Sequence, residues 1–339
     1  TRAGFFDTEH KKCYRYIRKG RLFFMKSTFQ IHVLPRKSMS WNEFIMTTPP
    51  RSIALDGVVR GGPRYDPTTH HVNFDHHDCV VREATMCTAA QVHLAIKGGL
   101  MLAFKDNGDS SGHIFINDTD QDTSFAVWLL VNYKQFEGIQ SHALINRLLH
   151  LTNMWDITGG AYPINLNDSL LRQHNWIFKP YADLRKSGGL AKADEHAMRD
   201  NLDAVIARLD KAFMGEAQEE KMDTRALILH DCPEYKIVDE IGGNEARYHL
   251  FSQGMNAFIS IVARRPDGRM VVSVGRRSRY IPFPVEALYD DFNHAESLTR
   301  ETGWNGSDII GGSSRQLGTC LSWQQLRDIT DRRLGLNKN

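Results

Sequence analysis

Residues 65–78 hold four histidines and three aspartates in fourteen positions, ending Asn73-Phe74-Asp75-His76-His77-Asp78. A second acidic run reads Asp118-Thr119-Asp120-Gln121-Asp122-Thr123-Ser124, and a third motif reads Trp155-Asp156-Ile157-Thr158-Gly159-Gly160. Asp56 adds a carboxylate at the end of an apolar stretch. If these acids meet, they repel: two unit charges 4 Å apart cost about 4 kcal/mol at an effective dielectric near 20. They must then be protonated, spread apart or neutralised by cations. Mixed Asp and His ligands suit Mn²⁺, Zn²⁺ or Fe, and carboxylates with water also suit Mg²⁺. Two such ions about 3.5–4 Å apart would clamp the attacking and leaving oxygens of a phosphoryl displacement.

Simpler readings account for part of this. An EF-hand beginning at Asp118 would need Gly at 123 and Glu at 129, where the chain has Thr123 and Leu129. His70 and His71 read as exposed loop residues. Neighbours on a strand point to opposite faces, so His70, His71, His76 and His77 would not all converge on a single zinc.

The elements that must position these groups are short. Ser52-Ile53-Ala54-Leu55-Asp56, Val72-Asn73-Phe74-Asp75 and His113-Ile114-Phe115-Ile116-Asn117-Asp118 each read as an apolar strand closed by an acid. A helix is expected over 84–94 and another after Ser124. Strands alternating with helices predict an α/β fold, with a mostly parallel sheet and helices on both faces. Ligands of such sheets bind beyond the carboxyl ends of the strands, where these acids would line one rim. Residues 1–45 read as a basic N-terminal segment, with ten Lys/Arg and two Asp/Glu in the first 41 positions. Its core is Lys11-Lys12-Cys13-Tyr14-Arg15-Tyr16-Ile17-Arg18-Lys19, either a nucleic-acid-touching arm or a solvated, targeting or vector remnant. The catalytic domain is expected over 46–187. A helical linker is expected over 188–225, where Leu202, Val205, Ile206, Leu209 and Phe213 recur at helical spacing. A smaller α/β domain follows over 226–339, with a hairpin through Pro266-Asp267-Gly268.

The 339 residues carry 42 Lys+Arg against 40 Asp+Glu, 41% hydrophobic and 24% charged residues. That balance excludes a disordered or collagen-like chain, and the net charge of +2 gives the whole chain no general affinity for nucleic acid. No apolar run is long enough to span a bilayer, so no membrane partner is expected. Five cysteines without a CxxC pair, and a start without an apolar signal core, point to a reducing compartment. The expected location is cytoplasmic, or organellar if the basic segment is native.

The motifs resemble those of the DHH phosphoesterase superfamily. Asp75-His76-His77 after a strand, with Ala84-Thr85 at a helix start, resembles its name-giving signature. Asp118-x-Asp120 with Ser124 resembles its first metal motif, Asp56 its second and Asp156-Ile157-Thr158-Gly159 its fourth. Gly311-Gly312-Ser313-Ser314-Arg315 is loosely similar to the glycine-rich substrate loop of the DHH-associated C-terminal domain. The resemblance spans about 50–185, and more loosely 226–325. The motif order is circularly permuted, because the Asp-x-Asp strand precedes the signature in the family and follows it here. The family's first motif often has a His four residues before its first Asp, where this chain has Ile114.

The resemblance implies a site with two divalent ions, Mn²⁺ by preference and Mg²⁺ next. Asp118 and Asp120 would bind one ion each, with Asp122 as a substitute ligand. Asp56 would bridge the ions, and His76 and Asp156 would complete the second. Asp75 would orient His76, and His77 would contact the scissile phosphate or protonate the leaving oxygen. Arg315, Gly311 and Gly312, with Arg276 or Arg277, would bind substrate. The implied activity is hydrolysis of a phosphodiester by a water activated between the ions. The substrate would be a phosphorylated small molecule, short oligonucleotide, single-stranded nucleic acid or cyclic dinucleotide. A pyrophosphatase or polyphosphatase, or a degenerate scaffold of the same family, are the alternatives, and a homodimer is left open.

Overall fold

Ile53, Leu55, Ile114 and Ile116 enter one apolar core, while Ala54 and Phe115 enter another on the opposite side. This is the period of two expected of strands buried on both faces. The computed structural model describes residues 13–18, 21–26, 28–106, 108–162 and 164–336. Its first sheet runs in the order Phe29–Val33, Gly112–Ile116, Ser52–Leu55, His71–Phe74, Arg64–Asp66. All pairings are parallel except the last, so the sheet is mixed and mostly parallel. Helices Thr88–Lys97, Gln121–Val131, Ala143–Ile157, Ser169–Lys186 and Glu195–Phe213 pack into the larger core. The other face is covered by the short helix Trp41–Thr47 through Phe44.

Several expected boundaries move. The strand Phe29–Val33 lies inside the segment read as a basic arm and forms a sheet edge beside Gly112–Ile116. Lys11, Lys12 and Lys19 of that arm lie outside the described residues. The amphipathic helix Glu195–Phe213 is no free linker, because Met198, Leu202, Val205, Ile206 and Leu209 are buried in the first core. The connection without helix or strand is 214–226. The helix expected over 84–94 is a short turn, Arg82–Ala84, followed by the helix Thr88–Lys97. The later start has a physical cause. Both carboxylate oxygens of Asp122 accept amide hydrogens, from Thr88 at 2.6 Å and Ala89 at 2.7 Å, so the helix begins where its unpaired amides find an acceptor. His71, expected on an exposed loop, is buried on its strand, with Nε2 3.0 Å from Thr48 Oγ1.

The second domain has its own core around a mixed sheet, ordered Leu227–Asp231, Lys236–Asp239, Ala257–Arg264, Met270–Arg276, Ile310–Gly312, Asn305–Gly306. The hairpin through Pro266-Asp267-Gly268 joins Ala257–Arg264 to Met270–Arg276 in antiparallel register. Among the described residues no helix is long and apolar enough to cross a membrane. Cys79, Cys87, Cys232 and Cys320 are free thiols.

His174 gives the fold a pH dependence. It is fully buried, with Nε2 3.0 Å from Thr152 Oγ1, and burial pulls its pKa down to about 3. The unfolded chain takes up this proton near the ordinary value of 6.5, and the native state does not until about 3. Its contribution is therefore complete above 6.5 and is lost as pH falls towards 3, at roughly 1.4 kcal/mol per pH unit. Urea midpoints at pH 7.5 and 5 should differ less for His174→Gln than for wild type. An equal difference in the two proteins would place the acid sensitivity elsewhere.

Candidate metal centre

The register of the parallel strands decides which side chains meet. Ser52–Leu55 lies between Gly112–Ile116 and His71–Phe74, so Asp56, the 118–122 run and Asp75-His76-His77 leave neighbouring strands at the same edge. Chain order does not matter to this meeting. Asp56 stands in the middle, with its backbone in the left-handed region at φ 51°. That conformation costs a non-glycine residue about 1 kcal/mol or more and needs support from its surroundings. The support is visible: its amide donates to Phe74 O at 2.9 Å, and Thr88 and Thr123 hydroxyls donate to its two oxygens, each at 3.1 Å.

His76 is fully buried, and its Nε2 lies 2.8 Å from Asp156 Oδ2 and 3.6 Å from both Asp56 Oδ1 and Asp122 Oδ2. Neither His76 Nε2 nor Asp156 Oδ2 has a hydrogen bond of good alignment, although both are buried. Asp56, His76 and His77 form one set of atoms close enough to hold a cation, and His76, Asp122 and Asp156 form another. Buried polar atoms without aligned partners, converging as carboxylate oxygens and imidazole nitrogens, fit divalent cations of the Mn²⁺ or Zn²⁺ kind.

The charges oppose one another strongly. Burial pulls the His76 imidazole down, but Asp156 and Asp56 outweigh it and hold its pKa up at about 11. Burial raises Asp56, yet His77 and His76 bring it well below the ordinary carboxylate value. Asp156 is likewise lowered by His76 and Arg82 against the pull of burial. The remaining acids go the other way. Burial, with Asp56, Asp118 and Asp156 close by, pushes Asp120 up to about 8. Burial beside Asp156 and Asp56 raises Asp122 well above its usual value, against the two amides that favour its charged form. Burial also raises Asp118 and Asp75.

The centre gathers Asp56, His76, His77, Asp122 and Asp156. Asp120 is held slightly apart as the cap of helix Gln121–Val131, its Oδ1 accepting from Thr123 N at 2.9 Å. Asp118 accepts from Thr119 N and from the Tyr181 hydroxyl. Asp75 does not touch the His76 ring: its Oδ1 accepts the His76 and His77 amides at 2.7 and 3.0 Å, so it shapes the backbone that carries both rings. His77 is the open member, its side chain 39% exposed, with Nε2 2.9 Å from Asp56 Oδ1.

Arg82 lies in no recognisable motif of the sequence. Its guanidinium donates to the Asp156 carbonyl at 3.0 Å, reaches Asp156 Oδ1 at 3.3 Å and lies 3.0 Å from His77 Nδ1. A guanidinium only donates, so Nδ1 accepts and the His77 ring proton sits on Nε2. Thr88, Thr123 and Tyr181 likewise lie in no motif of their own, and only the helix start at Thr88 gives the first of them a local signal.

Comparison with models of known protein families and with curated proteins gives no match. Arg315 is exposed, its side chain has no hydrogen-bond partner among the described residues, and it is near enough to Asp118 to steady its charge. Arg276 is occupied by the carbonyls of Asp308, Ile281 and Phe283 and by the Asp308 carboxylate. The Arg277 side chain has no partner among the described residues, and its amide donates to Asn256 O. Gly311 and Gly312 lie in the strand Ile310–Gly312, not in a loop, where a Cβ would strike Tyr289 and the neighbouring strand backbone.

Proposed function

We propose that the chain is a metal-dependent phosphoesterase of the DHH type that hydrolyses a phosphodiester. The observation that carries this is the meeting of Asp56, His76, Asp122 and Asp156 at one buried point, with His76 Nε2 and Asp156 Oδ2 lacking aligned hydrogen bonds. Acids so placed lose their mutual repulsion when cations sit among them. Asp56, His76, Asp122 and Asp156 would hold these cations, with Asp120 and Asp118 at the side facing Arg315. Divalent ions there would polarise a phosphoryl oxygen and ease deprotonation of an attacking water. The chain's own residues do the rest. Thr88 and Thr123 orient Asp56, and Arg82 orients Asp156. His77 is the exposed member, and the proton on its Nε2 points at Asp56 Oδ1, so its ring steadies that ligand and would reach a leaving oxygen only by giving up this bond. Arg315 and Arg277 carry guanidinium forks without partners among the described residues, suited to phosphate.

The test is a substrate panel with Mn²⁺ or Mg²⁺ and the metal content of the purified protein by mass spectrometry. The expected result is bound divalent metal and release from dinucleotides, single-stranded DNA or RNA, abolished by EDTA and restored by Mn²⁺. Release from pyrophosphate alone would make the protein a pyrophosphatase. No metal and no hydrolysis would reduce it to a binding scaffold.

A further inference from the structure

Asp156 occupies an unfavourable place. It lies in the last turn of the helix Ala143–Ile157, whose C-terminal carbonyls repel a carboxylate, and it faces further acids. His76 and Arg82 hold its carboxylate, and the second domain packs against its neighbours from two directions.

The first direction is apolar. Tyr248, on the second-domain helix Asn244–Ser252, stacks on Trp155 with ring centroids 4.4 Å apart and planes at 25°. The turn after Asp156 continues into the same contact. Gly160, at φ 88°, has no room for a side chain because a Cβ there would enter the Tyr248 ring, and a Cβ on Gly159 would lie 3.0 Å from Ile310. Ala161 is then buried among Val238, Leu250, Phe251, Met255 and Phe258 of the second domain. The two glycines after Asp156 thus leave room for second-domain side chains.

The second direction is polar. Arg279 of the second domain pairs with Glu83 at 3.0 Å, and Glu83 shares the short turn Arg82–Ala84 with Arg82, which grips Asp156 and His77. Both partners are partly exposed, so this pair contributes less than the stacked rings.

We propose that Tyr248 is a positioning residue, which from the second domain fixes the Asp156 turn in its metal-binding shape, with the Arg279–Glu83 pair as a weaker second hold. Metal affinity in the first domain then depends on contacts that include no metal ligand. This rests on the phosphoesterase reading only as far as the cluster binds a divalent ion. Groups that orient a ligand from outside its shell typically change metal affinity about 10–100-fold.

The experiment is calorimetric titration of MnCl₂ into the full-length, metal-stripped chain. Tyr248→Ala should weaken Mn²⁺ binding about 10-fold or more, and Tyr248→Phe, which keeps the ring stack, should bind within about 2-fold of wild type. A purely structural role would lower the melting temperature without changing the Mn²⁺ affinity of the folded protein. Should Tyr248→Ala not fold, Glu83→Gln and Arg279→Gln should each weaken Mn²⁺ binding by a smaller factor, about 2–5-fold, with the double variant no worse than either single. Wild-type affinity in a folded Tyr248→Ala, or in both of the other single variants, overturns the proposal and leaves the phosphoesterase reading standing. A wild-type chain that takes up no Mn²⁺ removes both.

Discussion

Asp56→Asn should lower metal-dependent turnover by about 10³-fold or more, which is about 4 kcal/mol of lost transition-state stabilisation, while the protein stays folded. The size follows from its place. Asp56 lies within 3.6 Å of His76 Nε2 and 2.9 Å of His77 Nε2, and takes a hydroxyl bond on each oxygen. Partners that merely orient a ligand typically cost 10–100-fold when removed, so a central ligand should cost more. Asparagine keeps an oxygen for one threonine and retains some tolerance for the left-handed backbone at φ 51°, so secondary structure should persist by circular dichroism. His76→Ala and Asp156→Ala should fail comparably in the same assay. Full activity in two of the three variants would end the ligand assignment.

Strand ends were the legible part of this site. Ser52-Ile53-Ala54-Leu55 and its two counterparts show short apolar runs closed by Asp, and the parallel register brings those ends together. Side-chain roles that depend on distant chain were less legible. Asp122 reads as one more acid of a triad, yet its two amide bonds reach a helix more than thirty residues earlier. Asp75 reads as a ring-orienting partner, but a carboxylate beginning a turn bonds most readily to the amides just after it. Arg82 has no local pattern at all, because its partner Asp156 lies 74 residues away.

Domain limits failed for a related reason. Basic residues flank Phe29–Val33 and mask a strand whose apolar members, Phe29, Ile31 and Val33, find their place once Gly112–Ile116 lies beside it. Glu195–Phe213 has the right amphipathic period for a linker helix or a core helix, and periodicity does not say which core receives the apolar face. Gly159-Gly160 looks like an ordinary turn after a helix, and only the approach of Tyr248 explains why Gly160 has no room for a side chain, and that of Ile310 why Gly159 has little.

The opposed charges lead to a second large effect, with opposite signs for stability and activity. Asp120 is pushed up to about 8 from 3.8, so the native state holds its proton more tightly than the unfolded chain does. Ionising it is therefore a cost to folding: absent below the ordinary carboxylate range, growing from about pH 4 to 8, and constant above. At roughly 1.4 kcal/mol per pH unit the full rise from 3.8 to about 8 sets an upper bound of about 6 kcal/mol on this cost. Asparagine at 120 loses the charge but still caps the helix through the Thr123 amide, because Asn is as good a cap as Asp. In EDTA at pH 8, Asp120→Asn should melt several degrees above wild type, and at pH 4 the two should coincide. Mn²⁺ should then reverse the order. A ligand at 100 times its Kd stabilises by about 2.7 kcal/mol, and the variant that has lost a charge from the centre should gain less of it and turn over substrate more slowly. Melting curves with and without Mn²⁺ at the two pH values test both halves. If Asp120→Asn melts no higher than wild type in EDTA at pH 8, the acids do not strain the metal-free protein, and cations have no repulsion there to relieve.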